Sequence, residues 1–152
     1  MLRPTPDRLL PALLALATIT GCGSTEPSAL SVPDLLVRTD QAVYSKTGNA
    51  PVKTVVLNSG SSTVYFLMGD YVHIEQASDN GWIYRGPWFS VDGSTPSFPL
   101  APGDSLEVLP MDLAYIDRAG VYRFVFQVSA DRQMRQLLPQ AERVSQPFSV
   151  TW

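Results

Sequence analysis

From residue 35 onward, apolar and polar positions alternate with a period of two rather than 3.6. Residues 121–129 show it most clearly: Tyr122, Phe124, Phe126 and Val128 fall on one face, and Val121, Arg123, Val125 and Gln127 on the other. The same pattern predicts strands at 35–39, 52–57, 63–68, 71–76, 82–84, 105–109 and 147–151. Turn clusters separate them, at Asn58-Ser59-Gly60, Gly69-Asp70, Asp79-Asn80-Gly81 and Asp92-Gly93-Ser94. Helix is scarce: residues 111–118 have room for one turn, and 132–138 for a short helix. About seven to nine short strands with turns between them predict an all-β, antiparallel β-sandwich.

Ahead of this pattern the chain has a different character. Arg3 and Arg8 precede a mostly apolar stretch, residues 9–20, that closes on small residues and Cys22. A basic start, a short apolar run and small residues at the end describe a secretory signal. The run is about a dozen residues, short of the ~20 that a spanning helix needs, and Pro11 interrupts it. Cleavage after Ala15-Leu16-Ala17 is one reading of this segment. The other is modification at Cys22, the only cysteine in the chain. An exported protein with one thiol forms no internal disulfide, and acylation would protect that thiol from stray oxidation.

These signals divide the chain into residues 1–21 as signal, 22–33 as modified N-terminus and tether, and 34–152 as one folded domain. Removing residues 1–21 takes Arg3, Arg8 and Asp7 from 11 basic and 14 acidic side chains, leaving a net charge of about −4. The chain carries no basic block, so it lacks the electrostatic footprint of nucleic-acid binding. Residues 23–33 are small, polar and proline-containing and could span up to ~36 Å.

Catalytic signals are weak. His73 is the only histidine, so a nucleophile–His device would have to use it. It shares a strand face with Glu75, and the simpler expectation is two solvated side chains on an outer face. Two ligands are too few for zinc, and no calcium or phosphate loop occurs. We therefore expect no catalytic residues, no metal, no cofactor and no enzymatic role. The candidate binding surface has two parts. Trp88 and Phe89 stand beside Pro87 in the densest aromatic cluster, from which Trp82 is expected to pack the core. Arg132, Met134 and Arg135 lie in residues 130–142, between the last two strands, where basic and apolar groups mix as in protein contacts.

Several motifs resemble known families. Ile19-Thr20-Gly21-Cys22 resembles the lipobox of bacterial lipoproteins, in which the thiol takes a diacylglycerol and becomes the mature N-terminus. Gly23 after it implies no inner-membrane retention, and so the outer membrane in a Gram-negative cell. Ala119-Gly120-Val121-Tyr122-Arg123 resembles the tyrosine corner of immunoglobulin-like domains, with Tyr122 and Gly120 as its structural residues. Leu100-Ala101-Pro102-Gly103-Asp104 and Ser145-Gln146-Pro147-Phe148-Ser149-Val150 resemble a strand-opening turn and the closing strand of bacterial envelope domains of that class. The order of motifs is also similar to that of BsuPI-type inhibitor domains. Phe124 stands where the second cysteine of an antibody-type domain would fall, so no inter-sheet disulfide exists.

The resemblance implies an immunoglobulin-like sandwich, held in the cell envelope by a lipid on Cys22. It implies a non-catalytic protein-interaction or structural module, with an envelope protein or glycan as partner and no nucleic acid. The alternative is a glycan- or peptide-binding domain or a BsuPI-like proteinase inhibitor.

Overall fold

The computed structural model describes residues 35–67, 72–89 and 97–152, with the backbone alone at Phe89. Residues 1–34 lie outside them, and with them the signal, Cys22 and the tether. Among the described residues the chain forms eleven strands: β1 (Leu35–Thr39), β2 (Val43–Ser45), β3 (Val52–Asn58), β4 (Val64–Leu67), β5 (Val72–Ser78), β6 (Gly81–Phe89), β7 (Ser97–Leu100), β8 (Ser105–Met111), β9 (Gly120–Phe126), β10 (Val128–Ser129) and β11 (Phe148–Thr151). Among the described residues, helical structure is limited to three single 3-10 turns, at Lys46–Gly48, Leu113–Tyr115 and Gln140–Glu142.

One layer has the order β1-β3-β8 and the other β2-β11-β9-β5-β6. A smaller set, β10-β4-β7, carries the β9–β5 pairing onward: Val128 opposes Phe66, and the Leu67 amide donates to the Gln127 carbonyl at 3.0 Å. This is an all-β sandwich of immunoglobulin-like architecture, as expected. The strand count exceeds the expectation because β9 and β10 are one alternating run interrupted at Gln127, and because β2 and β7 gave no periodic signal. No helix forms at 132–138, where turns and a bridge from Ser129 to Leu137 take its place.

All pairings between named strands are antiparallel except β2–β11, which runs parallel. The exception has a local cause. The chain leaves the first layer after β1, crosses at Asp40 and joins the second as β2. Asp40 Oδ1 accepts from the Tyr44 hydroxyl at 2.6 Å and from the Lys53 amide at 3.0 Å, while the Asp40 amide donates to the Lys53 carbonyl. Burial pushes the Asp40 carboxyl upward, but the bonds from Tyr44 and Lys53 outweigh it and hold the group below its ordinary value. The Tyr44 hydroxyl is correspondingly pushed up to about 12 by burial and by Asp40.

The core lies between the layers. Tyr122, Phe124 and Phe126 of β9 are almost fully buried. Phe124 and Tyr122 pack against Phe148 with centroids 5.1 and 6.2 Å apart, Phe148 meets Tyr44 edge-on at 5.6 Å, and Phe126 meets Phe66 edge-on at 6.1 Å. The turn from β7 into β8 is tied to this core. The Asp104 amide donates to the Ala101 carbonyl, with Pro102 and Gly103 between them. Gly103 has φ of +81°, the third-residue geometry of a type II turn that glycine best accommodates. The fully buried Asn58 side chain clamps this region, donating to the Leu100 and Ser62 carbonyls and accepting from the Gly60 amide.

Two corner groups can be tested by substitution. Tyr122→Phe removes the bond from its hydroxyl to the Arg118 carbonyl, 2.8 Å long, and is expected to cost about 1 kcal/mol in urea unfolding. Asp40→Ala removes a charged acceptor of two bonds and is expected to cost about 2 kcal/mol.

Candidate functional site

β6 is longer than its alternation suggests because it carries two inserted residues. Glu75 pairs with Tyr84 and Ile74 with Gly86, which leaves Arg85 unmatched; His73 pairs with Pro87 and Val72 with Phe89, which leaves Trp88 unmatched. Bulges of this kind re-aim side chains and end regular pairing. Here they turn Arg85 and Trp88 into a cleft at the open edge of the sandwich, between β6 and the turn Leu113–Tyr115.

The far wall is built by capping. Asp112 Oδ1 accepts from the Ala114 amide at 2.8 Å and fixes the single turn. Leu113 plugs into the core, which leaves Tyr115 projecting, 75% exposed. Its ring meets the half-buried Trp88 edge-on, at 5.3 Å and 78°. The Trp88 Nε1–H donates to the Leu109 carbonyl at 3.3 Å, so the indole spans from one sheet to the other. The Tyr122–Arg118 bond holds the segment that carries Asp117, whose pairing with Arg118 at 3.4 Å is solvent-exposed and weak. The cleft measures about 430 Å³, within the range of small-ligand sites.

A larger recess, about 530 Å³, lies beside Arg38, Asp40, Lys53 and Glu107. Asp40 there is already committed to the β1–β2 crossing.

The outer face of the five-stranded sheet departs from expectation. Glu75 is 8% exposed, not solvated. Its Oε2 accepts from Arg123 Nε at 2.8 Å and lies 2.6 Å from Nη2; its Oε1 accepts from Gln140 Nε2 at 3.3 Å and lies 3.6 Å from His73 Nε2. Gln127 Nε2 lies 3.3 Å from His73 Nδ1, so a neutral imidazole accepts from Gln127 and directs its own N–H toward Glu75. The segment following the loop covers the group. Val144 bridges to Val125, and Arg143 donates to the Leu138 and Phe126 carbonyls. Burial lowers the His73 pKa; Glu75 opposes that shift, and Arg143 and Arg123 add to it.

Trp82 is not the core tryptophan. It stands half-buried on this outer face, with the Arg123 guanidinium 4.2 Å above its ring. The ring that packs at the margin of the core is Trp88. Among the described residues, no three His, Cys, Asp or Glu side chains converge as a metal site requires.

The remaining sequence candidates fall elsewhere. Phe89's side chain lies outside the described residues. Arg132, Met134 and Arg135 belong to a loop organised by Asp131, whose carboxylate accepts from the Gln133 and Gln136 amides and from Ser129 Oγ. Arg132 and Arg135 are exposed and Met134 is half-buried. The Arg132 carbonyl accepts from Ser97 Oγ at 2.7 Å, which ties the loop to β7. The structure thus assigns Trp88 to the cleft and the other three to the loop. Tyr115 and Asp117 were not singled out by sequence reasoning. An exposed tyrosine on a single 3-10 turn leaves no periodic trace, although Asp112 two residues before Ala114 is a capping signal.

No family model matches the chain, and no curated protein matches it. Solved structures show remote likeness. One is the Pseudomonas fluorescens alkylpurine DNA glycosylase AlkC bound to DNA containing an abasic site analog, at 9% identity and a TM-score of 0.37, over 80% of this chain and 32% of that one. This chain therefore spans about a third of the glycosylase's length. Another is the CARDB domain of the Pyrococcus furiosus PF1109 protein in complex with di-metal ions, at 18% identity and a TM-score of 0.33, over 87% of this chain and all of that one. The expectation that the chain is not an enzyme is withdrawn, because an enzyme stands among the structures it resembles. At these TM-scores neither likeness transfers an activity, ligand or residue.

Glu75→Gln is expected to destabilise the fold by about 2 kcal/mol in denaturant unfolding, since it removes the charge that Arg123 faces in a poorly solvated site. For His73 the neutral form is favoured in the folded state and its pKa lies below 6.5. Its contribution is fully present above pH 6.5 and is lost as the pH falls through the folded pKa. His73→Gln is expected to flatten that part of the stability–pH curve. An unchanged slope below 6.5 would show that His73 is not its source.

Proposed function

We propose that this chain is a membrane-anchored envelope lipoprotein whose immunoglobulin-like sandwich is an interaction module for another envelope macromolecule. The observation that carries the anchoring is the run Ile19-Thr20-Gly21-Cys22, which closes a short apolar stretch behind two arginines and contains the chain's single thiol. Lipid chains hold by burying methylenes at ~0.8 kcal/mol each, and the two chains of a diacylglycerol suffice for stable residence. In a Gram-negative cell, Gly23 directs it to the outer membrane. Among the described residues, aromatic packing closes the sandwich.

Two surfaces support the interaction role. One is the aromatic cleft of Trp88 and Tyr115. The other is the loop that holds Arg132 and Arg135 outward on a scaffold of Asp131 hydrogen bonds, a pre-organised basic surface suited to a protein contact. The cleft gives the glycan- or peptide-binding alternative a specific location.

Cys22→Ala tests the anchor. Labelling with radioactive palmitate and fractionation of the envelope are expected to show loss of label and release of the protein from the membrane. Unchanged retention in the membrane pellet would refute the lipid anchor.

A further inference from the structure

We infer that the cleft between β6 and the turn Leu113–Tyr115 is a binding site for a neutral saccharide, with a pyranose ring seated on Tyr115 and Trp88. This rests on the reading of the sandwich as an interaction module, but not on the lipid at Cys22.

Four observations converge on it. Tyr115 is 75% exposed on a backbone turn fixed by the Asp112 cap and the buried Leu113, and its ring meets Trp88 edge-on. A large aromatic face on a fixed backbone turn is a stacking surface that needs little backbone ordering on binding. Trp88 stands at 78° to it, so the two rings make a corner rather than a flat patch. A corner covers one face and one edge of a six-membered ring.

The polar groups at the rim are balanced. Arg85 donates through Nε to Gln76 Oε1 at 2.8 Å, which orients the guanidinium at the mouth, and Asp117 supplies an exposed carboxylate on the facing segment. One donor fork and one acceptor pair suit vicinal hydroxyls, which both give and accept hydrogen bonds. Both signs of charge stand here, Arg85 and Arg118 against Asp117, so the rim offers no cluster of like charges to select a polyanion or a basic peptide.

The strand edge itself disfavours a peptide. A peptide added to a sheet needs a continuous row of free edge amides. Beside the cleft β6 offers two bulges, Gly86 at φ +135° and Pro87 without an N–H. These features blunt an edge against strand addition. The bulges also place Arg85 and Trp88, so the same two irregularities build the site and exclude that competitor.

The test is titration of the full chain in detergent micelles with cellotetraose, maltotetraose and tetra-N-acetylchitotetraose, read by tryptophan fluorescence and calorimetry. At least one tetrasaccharide is expected to bind. Tyr115→Ala should weaken it about tenfold, Tyr115→Phe should retain it, and Trp88→Phe should lose the fluorescence change. Tyr115 is exposed, so its alanine variant folds; Val43→Ala, on the far edge strand, should bind like the wild type. The inference is overturned if none of the three binds with a Kd below about 10 mM, or if Tyr115→Ala binds unchanged. It is equally overturned if an extended peptide, rather than a saccharide, proves to be the ligand that Tyr115→Ala abolishes. If it fails while envelope crosslinking still recovers a partner, the interaction module stands and only its site is wrong.

Discussion

Burial of the inner row of β9 between the two layers is the interaction on which the rest of this molecule depends. Tyr122, Phe124 and Phe126 meet Phe148, and through it Tyr44, on one side and Phe66 on the other. Each such ring contributes roughly 1.5–3 kcal/mol by leaving water. The chain's one cysteine cannot cross-link the sheets, so this packing must join them. Two of the rings are tyrosines that bury their bodies and bring their hydroxyls to opposite corners. Tyr44 reaches Asp40 and fixes the crossing of the first strand into the second layer; Tyr122 reaches Arg118 and fixes the approach to β9. Core and corners are therefore one device.

That device also positions the candidate site. The Arg118 carbonyl held by Tyr122 lies just beyond Asp117, and Leu113, two residues before Tyr115, plugs the same core. On the facing strand, two inserted residues aim Arg85 and Trp88 at these groups. The exposed aromatic surface sits on rigid supports, as ligand sites require. The outer face behaves oppositely. Its charged cluster around Glu75 is closed over by Gln140, Arg143 and Val144, so polar groups that could have been functional serve to fasten the chain's last loop.

The parts legible in the sequence were those set by local alternation or carried by short motifs. The β9 row follows from alternation alone, while the turn at Pro102-Gly103 and the tyrosine corner were legible through short motifs that resemble those of immunoglobulin-like domains. What escaped depends on long-range partners or broken parity. β2 is three residues long and is defined by its parallel pairing with β11, about a hundred positions away. β7 contains Pro99, which argues against a strand in isolation. Trp82 was the core candidate of the aromatic cluster, but the bulges at Arg85 and Trp88 break the alternation along β6, and it is Trp88 that reaches the core margin. Glu75 looked solvated because the glutamine that covers it stands 65 residues further on.

We propose that the sandwich meets its partner at the open edge between β6 and the Leu113–Tyr115 turn. Site-specific photocrosslinking in the native envelope tests it most directly, with benzoylphenylalanine placed at position 115 and, as a control, at the exposed position 43 on the opposite edge strand. The expected result is an adduct from position 115 that is removed by glycoside-cleaving digestion, and none from position 43. Equal adducts at both positions, or none at 115, would contradict it.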